Sequence, residues 1–123
     1  MLVTPYDRQI NDAEIAFLGE AGLEVLGDRA LHLDANGMVT TPPSVWLETT
    51  LAAADPRADA YFLSCTNIRS PDVVEALEAR LGKPAVTSNQ ATLWYCLRTC
   101  GLDDRVPGLG RLFALGRPAA VSP

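Results

Sequence analysis

The sequence is poor in the residues that most often carry chemistry: among 123 residues there are one histidine, three cysteines and 10 basic side chains against 15 acidic ones. A formal charge of −5 and a pI near 4.7, with no lysine or arginine cluster, leave counterion release nothing to work on, which excludes nucleic acid and anionic membrane as partners. No apolar run reaches the roughly 20 residues of a membrane-spanning helix. The opening MLVTPYDRQ lacks the basic-then-apolar layout of a signal peptide, so a cytoplasmic protein is expected. Cys65, Cys96 and Cys100 form an odd set without CxxC spacing, and with only His32 to help they do not complete a zinc site. In a reducing compartment they are thiols. The GLG of Gly108 to Gly110 lacks the GxGxxG pattern and the preceding strand of a dinucleotide site and reads as a turn. No metal, nucleotide or organic cofactor is implied.

What is present is a core: 48% of the residues are apolar, and a chain of this length buries roughly two-thirds of its unfolded surface without a staple. The expectation is one domain over 1–113, followed by a loosely ordered tail over 114–123. Leu2 to Thr4 reads as a strand ending at Pro5. Asp7 caps a helix running to about Ala21, with Ile10, Ala13, Phe17, Leu18 and Ala21 as its core stripe and Gly22 as its stop. Leu23 to Leu26 reads as the second strand and 27–41 as an irregular loop. Thr41-Pro42-Pro43 opens a helix to about Ala54. Ala58 to Ser64 is an unalternating strand covered on both faces. Ser70-Pro71 starts a helix whose Val73, Val74, Leu77 and Leu81 face the core before Gly82. Pro84 to Thr87 is the fourth strand, and a last helix runs from Ser88 or Asn89 to Gly101. Strands alternating with helices predict right-handed β-α-β units: a three-layer α-β-α sandwich around a short, parallel, four-stranded sheet of flavodoxin-like type.

In such sheets ligands collect beyond the carboxyl ends of the strands, which selects three loops: Thr4-Pro5-Tyr6, Ser64 to Arg69, and Thr87 to Gln90. Cys65 stands at a strand end upstream of a helix whose dipole favours a thiolate. It reads equally as one more small buried residue. The polar run Ser64, Thr66, Asn67 and Arg69 around it suits an oxyanion or carboxylate rather than a core. Ser88 and Asn89 offer a second anion cradle or simple helix capping. Tyr6 either donates its hydroxyl to that ligand or packs its ring on the core. His32 reads as a surface or loop residue. Cys96 and Cys100 share a helix face and read as core, as do Trp46, Trp94 and Phe113. Two anion-ready loops beside one cysteine point to a small carboxylate ligand.

SCTNIR from Ser64 to Arg69, followed by GKPAVTSNQATLW from Gly82 to Trp94, resembles the maleate cis-trans isomerases and arylmalonate decarboxylases of the Asp/Glu racemase superfamily, with the ectoine-utilisation-type proteins. TPY, AGLEV and GLGRLF match as well. The resemblance covers nearly the whole chain, but only as the second, C-terminal half of a protein built from two α/β halves about a pseudo-two-fold axis, each half giving one cysteine to a shared cleft. It implies that Cys65 is the acid/base cysteine and Tyr6 the active-site tyrosine, and that Asn36 falls on a substrate-binding asparagine; the loop chemistry read above adds Thr66, Asn67, Ser88 and Asn89 as contacts to a small (di)carboxylate. The implied activity is that of a cofactor-independent isomerase. The alternatives are a related decarboxylase, racemase or ectoine-utilisation-type protein, or a non-catalytic truncated half-domain needing a first-half partner. A first-half polypeptide or a homodimer would supply the other side of the cleft.

Overall fold

Leu2 and Val3, at the first strand, face opposite ways and both are buried, as the inner strands of a covered parallel sheet require. The structure, a computed structural model, describes residues 1–116. Its four strands, β1 (Leu2–Thr4), β2 (Asp28–Ala30), β3 (Tyr61–Leu63) and β4 (Ala85–Thr87), are all parallel and lie in the order β2-β1-β3-β4. Leu2 sits opposite Asp28 on one side and Phe62 on the other, and Leu63 opposite Thr87. This is the doubly wound order expected of a flavodoxin-like sheet, with its switch between β1 and β3.

Helices α1 (Arg8–Glu20), α2 (Ala35–Thr40), α3 (Pro43–Ala52), α4 (Val74–Leu81) and α5 (Ser88–Thr99) connect and cover the strands. α3 packs on α4 and on the 3-10 turn Ser70–Val73 that leads into it. Trp46, Ile68, Val73 and Leu77 meet Val3, Leu63 and Ala85 there as the core. On the opposite face Leu2, Phe62 and Val86 lie beneath α1 and α5, and a cavity of about 730 Å³ between Leu18 and Ala91 reaches them. Among the described residues no helix is long and apolar enough to cross a membrane.

Three expectations are corrected. The second strand is Asp28–Ala30 and not Leu23 to Leu26, which is irregular. The chain leaves α1 through a left-handed Gly22 and runs along Leu23 to Gly27 to reach the start of β1, where Gly27 accepts a hydrogen bond from the Leu2 amide. As an edge strand β2 needs no apolar run; Asp28 is there because its carboxylate accepts from Asn11 Nδ2 at 2.8 Å. The supposed loop 27–41 also contains α2, whose N-cap Asp34 accepts from the Gly37 amide at 2.7 Å. The Asn36-Gly37 pair, a turn signal elsewhere, is carried inside that helix.

The third correction is the rotation of α1. Asn11, fully buried, accepts from the Thr4 hydroxyl at 2.6 Å and donates to Asp28, tying β1, α1 and β2 together. That turns Asn11, Ile15 and Leu18 inward and leaves Ile10, Ala13, Phe17 and Ala21 in solvent, although periodicity assigns them to the core. Cys96 and Cys100 are likewise exposed. The inner face of α5 is instead partly polar, through buried Gln90 and Arg98. Trp46 and Phe113 are core residues, whereas Trp94 is half-buried with its indole N–H on the Leu115 carbonyl.

The polar inner face of α5 has a purpose. Arg98 donates to the carbonyls of Leu102, Asp104, Phe113 and Leu115, and Gln90 to that of Leu109, so one helix holds the whole return segment. α4 holds it from the other side, where Glu78 accepts from the Ala85 and Arg111 amides. Gly108 and Gly110 are turn residues, and a Cβ on Gly110 would meet Val74 Cγ1 at 2.5 Å. Of the expected tail, 114–116 end this segment and 117–123 lie outside the described residues.

Candidate active site

The loops after β1, β3 and β4 converge, as a doubly wound sheet dictates. Cys65, two residues past β3 and 8% exposed, sits at the centre with φ 127. His32 and Cys65 are the two non-glycine residues at positive φ among the described residues, and such backbone strain persists only where surrounding bonds impose it. Those bonds are visible. The Cys65 amide donates to Ser88 Oγ at 3.1 Å, and Asn89 Nδ2 donates to the Thr66 carbonyl at 3.2 Å, so the start of α5 grips the cysteine loop from both ends. The loop then doubles back, and the Asn67 amide donates to Cys65 Sγ at 3.3 Å. The donor that reaches the sulfur is therefore a loop amide; the following helix begins with a 3-10 turn only at Ser70.

Tyr6 completes the group from β1. Its ring packs on the core cluster that includes Cys65, and its hydroxyl lies near the Cys65 thiol and Ser64. Burial, then the hydrogen bond and charge of Cys65, push that hydroxyl up to about 12, with Glu14 adding to the rise and Ser64 opposing it. The phenol is thus held as a donor. Its amide donates to Thr4 Oγ1 at 3.3 Å, and its carbonyl accepts from the His32 amide at 3.2 Å. The Thr4–Asn11–Asp28 chain thereby positions Tyr6 as well as α1. Periodicity could not reveal this, since an asparagine one turn into a helix reads as surface, and its partners Thr4 and Asp28 lie on separate strands.

Cys65, Tyr6, Ser88, Asn89, Thr66 and Asn67 are therefore gathered at one sheet edge. Thr66 and Asn67 are exposed on its rim. Asn36 stands exposed on the first turn of α2, outside the hydrogen bonds that join the others. A thiol with an amide donor on its sulfur and a protonated phenol beside it is equipped to give and take a proton next to a bound anion.

The family model for arylmalonate decarboxylase matches residues 1–113. The chain belongs to the arylmalonate decarboxylase family. It is 35% identical to the arylmalonate decarboxylase of Bordetella bronchiseptica over 116 residues, which cover 91% of this chain and 48% of that protein. Its fold superposes on the maleate isomerase Iso from Pseudomonas putida S16 with a TM-score of 0.87 at 27% identity, covering 91% of this chain and 46% of that one. A cysteine-to-serine mutant of the Nocardia farcinica maleate cis-trans isomerase with a covalently bound succinylcysteine intermediate gives 0.84 at 29% identity, over 91% of this chain and 46% of that structure. These family relatives are enzymes, and one carries its intermediate on a cysteine. The chain spans about half the length of the relatives it matches.

Proposed function

We propose that this chain forms one half of a cofactor-independent, cysteine-dependent isomerase of the maleate cis-trans isomerase kind, in which Cys65 moves the proton. The observation that carries the proposal is the strained Cys65, whose sulfur accepts a hydrogen bond from the Asn67 amide and which shares a packed cluster with Tyr6. A thiolate from a complementary half adds to one alkene carbon of the dicarboxylate, and Cys65 gives its proton to the neighbouring carbon. The saturated adduct rotates about its new single bond. Cys65, now a thiolate, takes a proton back, the carbon–sulfur bond breaks, and the trans isomer leaves with all groups restored. A succinylcysteine, as in the Nocardia relative, is such a saturated adduct.

Thr66, Asn67, Ser88 and Asn89 hold the carboxylate nearest Cys65, and Asn36 is the remaining proposed contact. Ser88 uses its oxygen to accept from Cys65 and keeps its own proton to donate. Because the chain carries −5, attraction of an anion falls to these local donors. The 35% identity to the Bordetella decarboxylase supports a second reading, in which carbon dioxide leaves first and Cys65 protonates the resulting carbanion. In either case the complementary half is a first-half polypeptide, or a second copy apposed at the strand ends. Mixing the chain with a first-half polypeptide should convert maleate to fumarate, followed by proton NMR, and Cys65→Ser should abolish it. No turnover of maleate, an arylmalonate or aspartate overturns the enzymatic reading and leaves a carboxylate-binding half-domain.

A further inference from the structure

Buried carboxylates in this fold find donors: Glu78 accepts from the Ala85 and Arg111 amides, and Asp28 from Asn11. Glu14 is the exception. Its Oε2 is buried and, alone among the buried carboxylate oxygens of the described residues, has no hydrogen-bond partner there. An orphaned buried acceptor costs stability, so its presence calls for a reason outside the fold. Its position supplies one. Glu14 follows Asn11 by three residues and precedes Leu18 by four, which puts it on the face that α1 turns toward the sheet. That face meets Tyr6 through Thr4, whose hydroxyl donates to Asn11 and accepts from the Tyr6 amide. The groups around the phenol are Cys65 and Ser64 from the loop after β3 and Glu14 from α1. The loop after β2 reaches Tyr6 at its carbonyl, through the His32 amide, and the start of α5 brings the uncharged Ser88 and Asn89 to the cysteine loop. Glu14 is the one carboxylate among them.

We propose that Glu14 is a positioning residue of the site, whose carboxylate repels a phenolate and thereby holds Tyr6 as a hydrogen-bond donor beside Cys65. No hydrogen bond joins Glu14 to Tyr6 through the buried oxygen, so it acts by its charge and touches no reacting atom. The inference rests on the reading of Cys65 as the group that moves the proton. In that reading Cys65 alternates between thiol and thiolate, and a neighbouring phenol serves both states only while it keeps its own proton. A phenolate there would set two negative charges side by side and compete for the proton meant for the substrate. Because the charge comes from α1, the donors of Thr66, Asn67, Ser88 and Asn89 stay free for a carboxylate.

Fluorine NMR of the intact chain tests this without substrate. Incorporated fluorotyrosine gives one line for each of the three tyrosines and lowers every phenol's titration into a range that the fold survives. Tyr6→Phe assigns the Tyr6 line. In Glu14→Gln, of equal size, its midpoint should fall by about half a pH unit, a roughly threefold rise in the ionisation constant, while those of Tyr61 and Tyr95 stay in place. Glu14→Asp, which keeps the charge, should leave it close to the parent value. Since Oε2 has no donor to lose, Glu14→Gln should also unfold in no less urea than the parent chain at neutral pH. An unmoved or rising Tyr6 midpoint overturns the proposal. So does a lower urea midpoint or a variant that fails to fold, either of which would make Glu14 a structural anchor. Neither measurement uses turnover, so the proposal can fail while the isomerase reading stands, and a chain without turnover whose Tyr6 line still answers to Glu14 overturns that reading alone.

Discussion

The backbone amide of Cys65 donates to the hydroxyl of Ser88 across 3.1 Å, so a residue at the start of α5 holds the cysteine loop of β3 in a conformation that L-residues avoid. The bond joins two loops separated by 23 positions in the sequence. It also explains why a cysteine is held at φ 127, where glycine would rest without strain.

Replacing Cys65 by glycine should therefore cost less stability than replacing it by alanine, by about 1 kcal/mol, since alanine keeps the strain and loses the sulfur. Urea denaturation of the two variants measures the difference. Equal midpoints would mean that the positive φ stores no strain.

The Tyr6 hydroxyl should ionise near pH 12, later than an ordinary tyrosine, and Tyr6→Phe should remove that late component from the ultraviolet titration. Because the folded value lies above the unfolded 10.0, the stability owed to this group is complete below pH 10 and is lost as the pH rises toward 12. Cys65→Ala should move the midpoint down, since the hydrogen bond and charge of Cys65 raise it.

Iodoacetamide tests whether the thiol is activated. Cys96 and Cys100 are exposed and Cys65 is buried, so accessibility alone ranks Cys65 last. If the Asn67 amide supports a thiolate, Cys65 reacts first below about pH 8, as peptide mapping would show. Equal or slower labelling removes the case for a tuned cysteine.

The return segment offers a test of packing. Gly110→Ala combines a left-handed φ of 62 with a Cβ 2.5 Å from Val74 Cγ1 and 2.7 Å from Glu78 Oε2. It should cost about 2 to 4 kcal/mol. Gly108→Ala, at φ 86 with open space around it, should cost only the backbone part, about 1 kcal/mol.

Arg98→Leu strips the donors from the carbonyls of Leu102, Asp104, Phe113 and Leu115 and should destabilise the fold by about 3 kcal/mol or more. Arg98→Lys should not restore it, because an ammonium cannot span that fork of acceptors. Hydrogen exchange of the amides from Leu102 to Leu115 should rise in both variants while β1 and β3 stay protected.

Much was legible in residue order, for local reasons. Pro43, Gly82 and Asp7 punctuate helices by their own backbone chemistry, and Tyr61 to Leu63 and Ala85 to Thr87 sit between such marks. Once that order implies a doubly wound sheet, the loops carrying Tyr6, Cys65 and Ser88 must share an edge, and they do. The SCTN and GKP-SNQ pairing placed the chain in its family before any coordinates.

What only the tertiary structure decided depends on partners distant in sequence. β2 is Asp28–Ala30 because those residues pair with β1 and Asp28 takes the hydrogen bond of Asn11, both contacts between positions distant in sequence. The stripe Ile10, Ala13, Phe17 has perfect core spacing and faces solvent, since a buried hydrogen bond from Thr4 fixes the rotation of α1 and periodicity records a face without naming what covers it. Arg98 reads as a surface cation and is 2% exposed, because four carbonyls of a later segment close over it. The three cysteines illustrate the division most sharply. Sequence made all of them thiols; folding buried Cys65 beneath an amide and a phenol, and left Cys96 and Cys100 in water.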